Sequence, residues 1–393
     1  MSVSKTKVPY GYHYLDEEDI EAVVDVLRKG PITQGSVVQE FGKALSSYSG
    51  AKYCVPVSSG TAALHLSLAA LDIGPGAEVI TTPLTFCATA NVVLHQGANV
   101  RFVDVDQKTL NLDPSLLDEK VNEHTKAVIP VDFRGHPADL PEIRKIADKH
   151  ALKVIEDGSH SLGSTYLYNE DRYSCGDGAH ADLCTFSFHP VKHITTGEGG
   201  AILGNDSNLY ERLAALRQHG IVRREDLFSE EARVGSWFYE MEELGFNYRL
   251  TDFQSALGLS QLKKLNGFKA RRRQIVEHYN DEFRNFDELA LPFEDPAADS
   301  NFHLYILQVN ENRRFDRYGL FTHLQDNGIL PMVHYIPVHL LEFYRDKFGY
   351  RRGDFPNAER FYDQAISIPL YPSMDDEQVD RVVNEVKRFI KSH

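Results

Sequence analysis

The chain has 393 residues, 42% of them apolar, enough for a large core and, at roughly 150 residues per domain, for about two domains. Its 57 acidic residues against 42 basic ones give a net charge of −15, which argues against the basic footprint of a nucleic-acid binder. The charge does not exclude a phosphorylated ligand, because helix N-termini bind phosphate whatever the total.

The four cysteines, Cys54, Cys87, Cys175 and Cys184, form no CxxC pair, so reduced thiols are expected rather than a disulfide frame or a zinc site. The opening segment MSVSKTKVPYGYHYLDEED lacks an apolar signal core, and no apolar run approaches about 18 residues. A cytoplasmic protein without a membrane span is the expectation.

Residues 16–29 read as an amphipathic helix with Ile20, Val23, Val24 and Leu27 on one face, stopped by Gly30-Pro31. Thr33 and Gln34 precede a second helix that carries Val37, Val38, Phe41 and Leu45; the pair reads equally as a cap or as a ligand contact. From residue 51 strands and helices alternate. Strand 53–57 ends in Ser58-Ser59-Gly60-Thr61 and feeds helix 62–71, which is either an N-cap or an anion site. Strand 78–81, the turn TTPLTF and helix 88–96 follow, then strand 100–105, helix 114–121, strand 127–131, helix 140–150 and strand 153–156, which runs into Asp157-Gly158-Ser159-His160. Residues 164–180 read as a polar loop.

A buried strand containing Leu183, Cys184, Phe186 and Phe188 leads to Pro190 and Lys192, then to the turn TTGEGG and the apolar run 201–203. Pro190 prevents a regular helix there, so Lys192 lies on an irregular loop. Helix 208–218 and an irregular charged segment, 221–245, precede a helix capped by Thr251. From about Lys269 a charged helix reads as a bridge to a second unit, comprising strand 302–309, helix 315–326, strand 328–332 and helices 358–366 and 375–391. The alternation predicts an α/β protein with a mainly parallel sheet covered by helices on both faces. In such a sheet Ser59, Phe86, Asp157 and Lys192 all follow strands and face one crevice.

A lysine and an aspartate on neighbouring strand ends suit pyridoxal phosphate. The lysine forms the Schiff base, and the aspartate keeps the pyridine nitrogen protonated. Gly60, Thr61, Ala62 and Ser187 offer phosphate donors, and Phe86 offers an apolar face for the ring. His189 and His193, at i and i+4, do not make a metal site off a helix, and no metal is expected.

The segments GPITQG, SSGTAALHLSL, ITTPLTFCATAN, VIEDGSHSLGS, SFHPVKHITTGEGGAI, GFNYRLTDFQSALGLSQL and HYIPVH resemble those of the DegT/DnrJ/EryC/StrS sugar aminotransferases, over nearly the whole chain. The resemblance implies the aspartate-aminotransferase fold (fold type I), with a large cofactor-binding domain over residues 1–265 and a smaller C-terminal α/β domain over 266–393. It implies that Lys192 is the Schiff-base lysine and proton carrier, that Asp157 pairs with the pyridine nitrogen and that Phe86 stacks on the ring. Gly60, Thr61 and Ser187 would bind the phosphate, and Asn247 would reach it from the other subunit of a homodimer with shared active sites. His160 stands where many members have glutamine beside the cofactor hydroxyl. A subgroup with histidine in place of the lysine dehydrates sugars; Lys192 points to transamination instead.

The substrate is expected to be a nucleotide-linked 4-keto-6-deoxy sugar with L-glutamate as amino donor. The motifs look most like those of the pseudaminic acid pathway enzymes, which use a UDP-linked N-acetylhexosamine; GDP- or dTDP-linked 4-keto sugars are the alternative. Gln34, Arg249, His334 and Tyr335 are the candidates for holding it. A nicotinamide-dependent sugar oxidoreductase is disfavoured because no GxGxxG joins an early strand to a helix.

Overall fold

Seven strands form the central sheet, in the order Tyr53–Val57, Gly200–Gly204, Leu183–Ser187, Lys153–Asp157, Thr125–Ile129, Glu78–Thr81 and Asn99–Phe102, in a computed structural model that describes residues 7–222, 237–310 and 316–392. All run parallel except Gly200–Gly204, which is antiparallel to both its neighbours. Most of the strand residues are buried, as short apolar runs covered on both faces should be. Gly60–Ala70, Ala88–His95, Leu140–Lys149 and Ser207–Leu216 are the helices that follow or flank these strands. The strand ends carrying Ser58-Ser59, Asp157 and Ser187 therefore open on the same edge.

The helix Glu17–Lys29 forms as expected, with Asp16 as its cap, but the face it buries is different. Ile20 and Leu27 are 50% and 56% exposed, whereas Asp19 is 1% exposed. Asp19 faces the helix Asp252–Phe283, where Gln261 Nε2 donates to it at 2.7 Å and Lys264 Nζ lies at 3.0 Å. A buried carboxylate is tolerated when paired and hydrogen-bonded in this way. Thr33 and Gln34 do not cap the helix Ser36–Ser49. Its N-terminal N–H groups at Gly35 and Val37 donate instead to the carboxylate of Asp252, at 2.8 and 3.1 Å.

Three further readings are corrected. Residues 164–180 hold a hairpin, Thr165–Tyr168 against Asp171–Ser174, turned by Asn169 and Glu170, both at positive φ. The helix expected over 358–366 ends at Gln364, and Ala365–Ile368 is a buried strand paired with Tyr305–Val309. The helix capped by Thr251 and the charged helix after Lys269 are one element, Asp252–Phe283, which passes unbroken through residue 265. The helix expected over 315–326 is seen from Arg317; Phe315 and residues 223–236 of the charged segment lie outside the described residues.

The C-terminal part has its own core. Leu289–Ala290, Tyr305–Val309 and Ala365–Ile368 form an antiparallel sheet, and Tyr279, Leu307, Leu324, Val382, Val386 and Phe389 belong to one buried apolar cluster beside it. Near the N-terminus, Val8–Pro9 pairs in parallel with Ile329–Leu330 and so ties the start of the chain to this part.

Candidate active site

The loop bearing Lys192 closes on itself. Phe188 N–H donates to Gly199 O at 2.8 Å, Thr196 N–H to Phe188 O at 3.0 Å, and Lys192 N–H to His189 O at 2.8 Å. Gly197 sits at φ +78°, which suits a residue without Cβ. These bonds fix the backbone around Lys192, whose side chain is partly buried. Burial there pushes the Lys192 ammonium down to about 8, against the opposing pull of Asp157. Asp157 ends a strand that pairs in parallel with Leu183–Ser187, the strand leading into the Lys192 loop, so both lie at the same edge of the sheet.

Asp157 is 3% exposed and hydrogen-bonded at both oxygens. Thr89 Oγ1 donates to Oδ2 at 2.7 Å, and Ser159 donates to Oδ1 from its hydroxyl at 2.6 Å and its N–H at 3.2 Å. The strand end supplies Asp157, and the turn Asp157-Gly158-Ser159 folds back on it as an aspartate turn does.

The helix Gly60–Ala70 points its N-terminus at the same edge. Its first N–H groups, at Gly60 and Thr61, have no acceptor within the helix. Ala62 differs from them: its N–H already donates to Ser59 Oγ at 3.0 Å, so the cup has Gly60 and Thr61 as its open donors. A Cβ on Gly60 would lie 2.8 Å from Cβ of Ser187, which brings the Ser187 hydroxyl into the same cup. Gly200 closes it from below, since a Cβ there would meet Ser59 O at 2.5 Å.

Aromatic and imidazole rings cluster beside this edge. Phe86, 57% exposed, lies 6.0 Å from the Tyr335 ring, and Tyr335 OH is 3.2 Å from His160 Nε2. His334 bonds Ser367 Oγ through Nδ1 at 2.8 Å, and burial, with Lys192 nearby, pushes it down to about 3. His160 is also held well below its ordinary range, by burial and then by Lys192, His334 and His193. Its Nδ1 is buried without a partner, and its ring lies 4.2 Å from that of His303. His193 is buried against Asn301 while His189 is exposed, so the two do not converge.

The residues fit pyridoxal phosphate: an open helix N-terminus and a hydroxyl for the phosphate, an ordered carboxylate, an apolar ring wall and a lysine of lowered basicity. Of the expected residues, the structure brings Gly60, Thr61, Phe86, Asp157, His160, Ser187, Lys192, His334 and Tyr335 to this edge. Gln34 and Arg249 line a different cavity, of about 580 Å³, that runs beside the strand Tyr53–Val57. Asn247 is exposed on the surface, its backbone bridging Gln218. Sequence reasoning missed Thr89 and His303, which nothing in their local pattern marks. It also missed Ser159, which the Asp-Gly-Ser turn signals.

Fold and site together define a pyridoxal-phosphate enzyme of the aminotransferase type. The model of the DegT/DnrJ/EryC1/StrS aminotransferase family matches residues 13–387. The spore coat polysaccharide biosynthesis protein SpsC of Bacillus subtilis is 40% identical over 98% of this chain and 97% of its own. A UDP-4-amino-4,6-dideoxy-N-acetyl-beta-L-altrosamine transaminase of Campylobacter jejuni is 37% identical over 94% of this chain and 93% of its own. The solved structure of Helicobacter pylori PseC, an aminotransferase involved in the biosynthesis of pseudoaminic acid, superposes with a TM-score of 0.88 at 32% identity, covering 99% of this chain and 100% of that one. The chain belongs to the DegT/DnrJ/EryC1/StrS family and is a pyridoxal-phosphate-dependent sugar aminotransferase.

Proposed function

We propose that the protein moves an amino group from L-glutamate to C4 of a nucleotide-linked 4-keto-6-deoxy sugar, with UDP-2-acetamido-2,6-dideoxy-hexos-4-ulose as substrate, in the synthesis of a surface polysaccharide. The observation that supports the reaction is that Asp157 and the loop bearing Lys192 follow adjacent parallel strands at one edge of the sheet. The sugar is supported by the likeness to relatives named for UDP-linked amino sugars. A GDP- or dTDP-linked sugar is the alternative.

Pyridoxal phosphate, when bound, supplies an aldehyde and an electron-withdrawing ring. Gly60, Thr61 and Ser187 would hold its phosphate, Phe86 would cover its ring, and Asp157 would accept a hydrogen bond from its ring nitrogen. His160, neutral at physiological pH, would bond the ring hydroxyl. Lys192 would hold the group through its aldehyde, and its amine, when deprotonated, would carry a proton from Cα of glutamate and, in the second half, deliver one to C4 of the sugar. His334 and Tyr335 flank the sugar.

The enzyme works as a homodimer. Exposed Ile20, Leu27 and Ile32 give an apolar surface for a second copy. Asn247 reaches the partner's phosphate cup, and Gln34 and Arg249 contact the nucleotide at the shared boundary.

The experiment follows the cofactor's absorption band in purified protein. Glutamate should deplete the band, and the UDP-linked 4-keto sugar should restore it. Restoration by only the GDP- or dTDP-linked sugar would select the alternative, and a band indifferent to glutamate would reject the transaminase reading.

A further inference from the structure

The turn that presents Asp157 rests on two buried carboxyl groups that the reaction does not use. Asp132 and Glu156 are 0% and 1% exposed, and one oxygen of each lies, with the Cys175 sulfur, in a group whose atoms are all within 4.8 Å of one another. Among the described residues no lysine, arginine or histidine makes an ion pair with either. Asp132 accepts from Ala138 N–H at 2.8 Å and from Ser161 Oγ at 2.5 Å. Glu156 accepts from Gly176 N–H at Oε2, at 3.0 Å, and among the described residues no N–H or hydroxyl donates to its Oε1.

Two carboxylates cannot both stay ionised so close together in a dry interior, so such a pair holds a proton between them. The unequal surroundings decide where it resides. Asp132, with two donors, is the better anion; Glu156, with one donor and a spare oxygen, is the better acid. Burial pushes both groups up, and Asp132 pushes Glu156 further. The other titratable groups facing the pair are the Cys175 and Cys184 thiols and the Tyr166 phenol, all pushed up by burial and by these carboxyls, and therefore neutral.

We propose that Glu156 is a neutral acid donating its proton to Asp132, and that this one shared proton positions the turn from Asp157 to His160. The connection is short. Asp132 N–H donates to Asp157 O at 3.1 Å, and Asp157 N–H donates to Pro130 O at 2.9 Å. Ser161, whose hydroxyl donates to Asp132, also donates its N–H to Gly158 O at 2.9 Å. Loss of the proton would drive the two strand ends apart beneath the acid that faces Lys192. The effect on turnover rests on the role given to Asp157; the shared proton does not.

The test uses the full chain without cofactor. A carboxyl that titrates higher in the folded than in the unfolded protein stabilises below the ordinary carboxylate range, and that contribution is lost as pH rises to the folded value. Wild type should thus lose melting temperature across this window. Glu156→Gln, which keeps the shape and an N–H donor, should not show that fall. Should the variant fail to fold, infrared spectroscopy of the wild type suffices, because a protonated-carboxyl C=O band should persist at neutral pH. An equal pH slope in wild type and variant, absence of that band, or a stoichiometric divalent metal in the purified protein would overturn the proposal. None of these readouts depends on the cofactor, so failure here and failure of the transaminase reading are separable.

Discussion

Thr89 Oγ1 donates to Oδ2 of Asp157 at 2.7 Å, and Thr85 Oγ1 lies 2.9 Å from Thr89 Oγ1, so the turn after one strand orders the acid at the end of another. Thr89→Val keeps the shape and removes the donor. A hydrogen bond to a charged group contributes about 1.5–3 kcal/mol, so cofactor affinity should fall roughly tenfold or more. Titration of the apoprotein with pyridoxal phosphate measures this, and an unchanged affinity would mean that Thr89 does not order the acid.

The close approach of Gly60 to Ser187 gives a second prediction. In Gly60→Ala the new methyl would stand 2.8 Å from Ser187 Cβ, a contact that ordinary side chains do not make. Such overpacking costs about 1–3 kcal/mol. Adding Ser187→Gly should recover most of that loss in urea unfolding while leaving phosphate binding weak. A single variant as stable as wild type would show that the helix start and the strand end are further apart than described.

Burial of Lys192 makes a prediction about pH. Its ammonium is held at about 8, below the ordinary 10.5, so between these values the unfolded chain binds more protons than the folded one. Stability from this group therefore rises with pH through that window. Below about 8 the folded apoprotein carries a desolvated charge, and Lys192→Met should be the more stable protein there, by at most about 3 kcal/mol. Thermal unfolding of both apoproteins should find the gap closing toward pH 10.5. A gap constant over the range would mean that the amine is not desolvated.

Much of this was legible in the sequence because parallel strands are short apolar runs punctuated by the residues that act. The runs 53–57 and 153–156, and the one holding Leu183, Cys184, Phe186 and Phe188, announced the sheet. Other parts carried no such mark. The hairpin turned at Asn169-Glu170 lacks the glycine that usually signals such a turn, and its polar strands read as loop. The strand Ala365–Ile368 follows the helix Pro356–Gln364 directly, with no glycine or proline between them to mark the break. The exposure of Ile20 and Leu27 was hidden because an amphipathic pattern tells which face is apolar but not what covers it. His303 beside His160 is a contact between distant segments, set by the C-terminal part packing over the cleft, which no local pattern encodes.

Lys192 is the residue proposed to hold the cofactor. Borohydride reduction of the holoenzyme followed by peptide mass mapping tests this most directly. The phosphopyridoxyl group should be found on the peptide containing Lys192, and Lys192→Ala should yield no labelled lysine. A label on any other lysine of the wild-type chain, or none at all, would contradict the assignment.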